Sequence, residues 1–256
     1  MARRSGQSNG GVMVIGVIPA RLESERLPGK VLLPICGEPM LRRVYDAARR
    51  CERLNELWVA TDSEQVRRYC IEKGLSVLMT SAAHRSGTER IHEVSLRRLA
   101  EVYVNIQGDE PMLQPGHLEL LIQPFLEQLD IHVTTLKTPI SAAVAGDPNV
   151  VKVVTDAGGR ALYFSRAPIP YHGDADAAGR FYKHLGLYAY SREALGHYMN
   201  WPASELERTE RLEQLRFLEN GVPIHVAETP HDTIGVDTEA DLKAVRLHFE
   251  RASLRR

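Results

Sequence analysis

A doubly wound α/β fold with a mostly parallel sheet is what this sequence predicts, on three observations. Residues 12–18 (VMVIGVI) are continuously apolar and stop at Pro19, as a strand covered on both faces does. From there to residue 136, strand-like runs alternate with helix-like runs in a repeated β-loop-α order. The loops that follow the strands collect polar and charged residues, which places a site at the carboxyl ends of the strands.

Taken in order, 12–18 is the first strand and 21–30, with its Leu27-Pro28-Gly29, a loop. Residues 39–51 read as a helix with Pro39 at its first turn. Residues 57–60 (LWVA) form a second strand. Ser63 caps a helix that runs to Lys73 and stops at Gly74. Residues 75–79 are a third strand, 84–87 a loop and 88–99 a helix. Val102, Val104 and Ile106 alternate along a fourth strand that ends at Gln107-Gly108-Asp109. A helix over 117–129 and a strand over 131–136 complete this half. The second half is strand-rich, at 150–155, 162–165 and 184–190, with Gly158-Gly159 as the turn between the first two. A Gly/Ala/Asp-rich loop at 171–180 carries Asp174 and Asp176. A helix over 206–220 is stopped by Gly221, and a strand over 223–227 and a helix over 238–251 follow. The expected organisation is a flexible tail at 1–11, a nucleotide-binding core of 12–136 and 201–252, and a smaller sheet-based insertion lobe at 137–200.

Composition narrows the function. The 256 residues are 43% hydrophobic and 25% charged, an ordinary globular balance. Net charge is −1, from 32 basic and 33 acidic residues, which disfavours a nucleic-acid partner. No apolar run reaches the ~20 residues needed to span a membrane, and no signal-peptide pattern is present. The three cysteines, Cys36, Cys51 and Cys70, are widely spaced with no CxxC pair, which argues for a reduced, cytoplasmic protein without a zinc knuckle.

The first strand runs into PARLESERLPGK (19–30), where Arg21, Arg26 and Lys30 gather on one loop. Guanidinium forks and a compact ammonium suit a polyphosphate, although such a loop can also be merely solvated. A phosphate-binding Walker loop is excluded, because Ser24 stands where its first glycine belongs and Val31 where its Ser/Thr belongs. No G-x-G-x-x-G follows the first strand, which disfavours a hydride-transferring dehydrogenase.

That same run resembles the P-A-R-x-x-S-x-R-x-P-x-K signature of the sugar-activating cytidylyltransferases. The resemblance extends from about Val14 to Phe249 through ATD (60–62), SGTER (86–90), NIQGDEP (105–111), PNVVKVV (148–154), ALYFSRAPIP (161–170), KHLGLYAY (183–190), LEQLR (212–216) and GVDTEADL (235–242). It implies a Rossmann-like sheet of the nucleotide-diphospho-sugar transferase type. It also implies transfer of CMP from CTP to the anomeric 2-hydroxyl of 3-deoxy-D-manno-octulosonate (Kdo), with release of pyrophosphate, in lipopolysaccharide assembly. An 8-amino analogue or another sugar acid is the alternative acceptor. Mg²⁺ as cofactor and a homodimer are implied as well.

By the same resemblance Arg21 and Lys30 clamp the triphosphate with help from Ser24, and Arg26 meets the anionic substrates. Asp109 and Asp237 hold Mg²⁺, a pairing that suits its preference for oxygen donors. Asp109 reads otherwise as shaping a turn before Pro111, and Asp237 as starting a helix, since Thr238-x-x-Asp241 resembles a capping box. Ala20, Thr80, Ser86, Gly87 and Thr88 lie in segments matching those that read cytosine, though Ser86-Gly87-Thr88 is also an ordinary N-cap cluster. On the sugar side, His184, Gly186 and Tyr188 share a strand face by parity, and Arg166 closes an apolar face. Arg166 is a candidate for the Kdo carboxylate or hydroxyls, the alternative being a partner for an acid; the alternative for His184 is a packed histidine. Glu210, Glu213, Gln214 and Phe217 follow helical spacing opposite Leu212, Leu215 and Leu218. The resemblance assigns Glu210, Glu213 and Gln214 to sugar hydroxyls, where the bland alternative is a solvated face. Gln107 is a further sugar candidate. His92, His117 and His248 are expected on helix surfaces without a role.

Overall fold

The computed structural model describes residues 11–24, 26–127, 130–171 and 180–253. Most of the expected tail (1–10) and the greater part of the loop at 171–180, with Asp174 and Asp176, lie outside the described residues.

Strand β1 (Val14–Pro19) opens the chain, followed by the short pair β2 (Pro34–Ile35) and β3 (Glu38–Pro39) and by helix α1 (Met40–Ala48). Then come β4 (Glu56–Thr61), α2 (Glu64–Glu72), β5 (Val77–Met79), α3 (Gly87–Arg97), β6 (Val102–Asn105) and α4 (Pro115–Glu127). The remainder is β7 (Val133–Ile140), α5 (Ala142–Ala145), β8 (Lys152–Thr155), β9 (Ala161–Ser165), β10 (Phe181–Ser191), α6 (Arg192–Asn200), α7 (Glu205–Glu210), α8 (Leu215–Glu219), β11 (Ile224–Glu228) and α9 (Glu239–Ser253).

The large sheet runs β11-β7-β10-β6-β1-β4-β5. Its β6, β1, β4 and β5 are parallel. β10 is antiparallel to both β6 and β7, and β11 is parallel to β7. The β8–β9 hairpin hangs from β10 through the pairing of Lys152 with Lys183. The apolar run of β1 is buried because each face meets a different core. Val14 and Ile18 join α1, α2 and α4 residues on one side, including Leu41, Val66 and Leu121. Ile15 and Val17 join Ile91, Val94, Leu195 and Phe217 from α3, α6 and α8 on the other. Covering helices on both faces make the sheet doubly wound, and its parallel quartet ends at one edge where the loops gather.

Three expectations need correction. The helix read over 206–220 is two helices, broken where Arg211 adopts a left-handed φ of 56°. A continuous helix would set Phe217 on the polar face with Glu210 and Glu213. The chain instead buries Phe217 to 1% exposure among the rings of Tyr190, Tyr198 and Trp201. The break also lets Arg216 fork onto both carboxylate oxygens of Glu207, at 2.7 and 2.5 Å. Second, α6 and the short α5 are absent from the sequence reading, although Ser191 and Ser141 cap them in the usual way. Third, His117 is buried rather than on a helix surface; its Nδ1 accepts from Gln114 N and its Nε2 faces the His231 carbonyl.

Phe217→Ala removes the ring on which this aromatic cluster stacks. Unfolding in urea should show a loss of about 3–5 kcal/mol, whereas a change near zero would show that the cluster repacks without it.

Candidate active site

The loops at the carboxyl ends of β1, β5 and β6 enclose a cleft of about 1220 Å³. Its walls come from the 21–33 loop, from His84 to Gly87 before and into α3, and from Gln107, Gly108 and Asp109 after β6. Gly108 is required here by close approach: a Cβ would stand 2.8 Å from the backbone oxygen of Pro19. Arg21, Ser24, Arg26, Lys30, Ser86, Gly87, Gln107, Asp109, Glu213 and Asp237 all line this one space.

Charge is sorted inside it. Lys30 Nζ donates to Asp109 Oδ2 at 2.5 Å and to Asp237 Oδ1 at 2.8 Å. Arg26 Nη2 meets Asp237 Oδ2 at 2.7 Å. The two aspartates, far apart in sequence, converge because Val236 N donates to the Asp109 carbonyl at 2.9 Å. Lys30 is aimed by Gly29, whose φ of 69° turns the chain into a short 3₁₀ turn, Lys30–Leu32. Burial works against the lysine's charge, but Asp109 and Asp237 outweigh it and raise its pKa. The capping box at the start of α9 is real and leaves Asp237 available: Asp241 Oδ2 accepts from Thr238 N and Oγ1, and Thr238 Oγ1 accepts from Asp241 N. The Asp237 carboxylate points to the cations instead. Two carboxylates converging on one cation are a donor set that fits a hard divalent ion completed by water and phosphate oxygens.

Beside the cations lies a polar wall. Ser86 caps α3 by accepting from Glu89 N at 3.2 Å. Thr88 Oγ1 donates to Glu213 Oε2 at 3.1 Å, and burial raises the Glu213 pKa. Thr80 is buried and accepts from Arg90 Nη1, while Arg90 Nη2 pairs with Asp62 at 2.7 Å. Ala20 is fully buried and extends the β1–β4 pairing by donating to the Ala60 carbonyl. Thr80, Thr88 and Ala20 therefore stand behind the cleft wall rather than on its surface.

The sugar-side candidates divide. Gln107 and Glu213 face the cleft, and Gln107 Nε2 donates to the Gly186 carbonyl at 3.1 Å. Arg166 and Glu210 are bound to each other outside its lining. The Glu210 carboxylate accepts from Ser165 Oγ at 2.6 Å and Arg166 N at 2.9 Å, and Arg166 Nε donates to the Glu210 carbonyl at 2.9 Å. His184 and Tyr188 do share a face, with ring centroids 5.3 Å apart. That face is packed: His184 also meets Phe164 edge-on, and its Nε2 is 3.0 Å from Thr135 Oγ1. Gln214 is buried at the start of α8. Among the buried polar atoms without a hydrogen-bond partner are Gln214 Nε2, Asn105 Oδ1, 3.8 Å from where a Cβ on Gly87 would stand, and Glu110 Oε2 of the residue after Asp109. Burial and the neighbouring Asp109 push Glu110 up to about 7.

Gln65, His84, Arg85 and Arg90 line the cleft and were not singled out as site residues. Arg90 was visible within SGTER, but nothing in its helical spacing distinguished it from a solvated arginine. The cleft is its neighbour only because α3 packs against β1 and β6.

Comparison with known proteins agrees with this geometry. The family model described as Cytidylyltransferase matches residues 15–226. A Koribacter versatilis protein named 3-deoxy-manno-octulosonate cytidylyltransferase is 54% identical over 92% of this chain and 90% of its own length. One of the same name from Acidobacterium capsulatum is 56% identical, covering 93% and 97%. The solved structure of CMP:2-keto-3-deoxy-manno-octonic acid synthetase complexed with CTP superposes with a TM-score of 0.91 at 44% identity, over 94% of this chain and 99% of that one.

The buried His184 has a consequence in acid. Burial pushes its pKa from 6.5 down to about 3, so between those values the unfolded chain binds a proton that the folded chain does not. Stability from this group is intact above the upper value and falls with pH below it, by up to about 1.4 kcal/mol per unit. Urea unfolding from pH 7 to 4 should show a shallower loss for His184→Gln than for the native chain; equal slopes would mean that His184 titrates while folded.

Proposed function

The chain belongs to the cytidylyltransferase family, and from that premise we propose that it transfers CMP from CTP to the anomeric 2-hydroxyl of Kdo, releasing pyrophosphate. The observation that carries this reading is the charge sorting at the parallel strand ends. Arg21, Arg26 and Lys30 line one cleft with Asp109 and Asp237, Lys30 and Arg26 paired to those carboxylates, in a chain that matches a CTP-bound synthetase over nearly its full length.

The difficulty of the reaction is electrostatic. A sugar carboxylate must approach a triphosphate, so neutralisation and alignment supply most of the rate. Arg21, Ser24 and Lys30 lie where a triphosphate would run along the 21–33 loop. Gln107 and Glu213 border the space left for the acceptor. Asp109 and Asp237 would hold Mg²⁺, which when bound supplies positive charge to the α-phosphate and the departing pyrophosphate. His184 is packed against Phe164 and Tyr188, with its Nε2 at Thr135 Oγ1, and burial lowers its pKa, both of which disfavour it as the base for the sugar hydroxyl. With Phe164, Tyr188 and Thr135 around it, it is a rigid part of the acceptor wall.

A reducing cytoplasm suits three free cysteines, and among the described residues no helix is long and apolar enough to cross a membrane. The exposed Leu162 on β9 and Tyr171 beyond it give residues 137–200 an apolar margin of the kind a second copy of the chain would cover, in keeping with a homodimer. The product would serve lipopolysaccharide assembly.

The decisive assay is pyrophosphate release over a panel of nucleotides and sugar acids, including 8-amino-Kdo. Release should require CTP, Kdo and Mg²⁺ together; none with any sugar acid would overturn the reading, and a preference for another acceptor would reassign the substrate. Asp109→Asn and Asp237→Asn should each lower kcat/KM by about 10²–10³-fold without loss of fold by circular dichroism. Gly108→Ala, which drives a methyl against the Pro19 carbonyl, should also be impaired.

A further inference from the structure

Lys30 stands at the point on which Asp109 and Asp237 converge. One ammonium holds an oxygen of each, at 2.5 and 2.8 Å, with only 13% of the lysine side chain exposed. The second Asp237 oxygen is held by Arg26. A divalent ion that prefers oxygen ligands at about 2.1 Å cannot take the same lone pairs while the ammonium keeps them. The arrangement is braced on both sides, by the Gly29 turn behind Lys30 and by the Val236–Asp109 backbone bond between the carboxylates. Three of the four carboxylate oxygens, Asp109 Oδ2 and both of Asp237, are therefore held by cations, and the pair cannot close together on a free ion; the lysine that family resemblance assigns to the triphosphate is committed to the acids instead.

We infer that Lys30 is a placeholder cation: it keeps Asp109 and Asp237 closed to free divalent metal and releases them only when a triphosphate arrives to take the ammonium. This rests on the reading of the two aspartates as the metal-holding pair. The exchange makes and breaks no covalent bond. The ammonium moves from carboxylate to phosphate oxygens, and the ion that enters with the nucleotide replaces its charge at the carboxylates. The resting cleft thus never leaves two facing carboxylates without a cation, and metal enters with the nucleotide rather than ahead of it.

The test is Mn²⁺ binding to the full chain, followed by water-proton relaxation enhancement, which reports metal on the protein. The native chain should bind Mn²⁺ alone weakly and take it up readily once CTP is present. Lys30→Met should tighten binding of Mn²⁺ alone by about tenfold or more, because a positive charge next to the site is gone. Lys30→Gln, also neutral and of similar length, serves if the methionine variant does not fold by circular dichroism. Unchanged or weaker Mn²⁺ binding in the neutral variant, with uptake by the native chain in the presence of CTP, would overturn the placeholder and leave the metal-holding pair standing. No Mn²⁺ on the protein in any arm would overturn both.

Discussion

Asp109 and Asp237 carry like charges, and holding them within reach of one point is unfavourable unless a cation lies between them. Lys30 is that cation, and much of the surrounding structure exists to keep the three together. The backbone bond from Val236 to Asp109 draws the segment before α9 against the end of β6. The reciprocal Thr238–Asp241 cap starts α9 without using the Asp237 carboxylate. The turn at Gly29 brings Lys30 back toward the sheet after the loop has left β1. A site assembled from three distant segments is otherwise at the mercy of loop entropy, and each segment is pinned at the residue that matters.

The sheet supplies the platform. With β6, β1, β4 and β5 parallel, and β1 and β6 buried on both faces, their ends form one edge. Gly108 lets the chain pass against the Pro19 carbonyl there, where a Cβ would stand 2.8 Å from its oxygen. β10 has a double role. Its later half pairs with β6 and Lys183 in its earlier half with β8, while β7 runs along both, so the candidate acceptor wall is continuous with the nucleotide platform. A register shift between Leu185 and Tyr188 lies at this junction, where Gln107 reaches the Gly186 carbonyl. Substrate-facing and core-facing residues therefore belong to one sheet, whose β6 leads into the loop that carries Asp109.

Local pattern made the first half of the fold legible. The apolar β1, the Ser63 cap and the Gly74 stop act over a few residues, and the structure keeps them with small shifts of boundary. The 206–220 helix misled because periodicity reports only one turn at a time. Whether Phe217 faces solvent or core depends on Tyr190, Tyr198 and Trp201, which arrive from elsewhere in the chain. The site followed the same division. Arg21, Lys30 and Asp109 lie at strand ends in recognisable motifs and do gather in the cleft. That Arg166 pairs with an acid and that His184 is packed are alternatives open in the sequence; which acid and which neighbours they meet depends on pairing across the β9–α7 and β7–β10 boundaries. His84 and Arg85 line the cleft through the placement of their loop, which leaves no periodic trace in the sequence.

The account turns on whether the lysine and the metal–nucleotide occupy the same carboxylates in succession. A crystal structure of the chain with Mg²⁺ and a non-hydrolysable CTP analogue tests this most directly. The account predicts that Lys30 Nζ, now 2.5 and 2.8 Å from Asp109 and Asp237, will be found on phosphate oxygens with both aspartates turned to the metal. Lysine and aspartates still joined, with the metal held elsewhere, would contradict it.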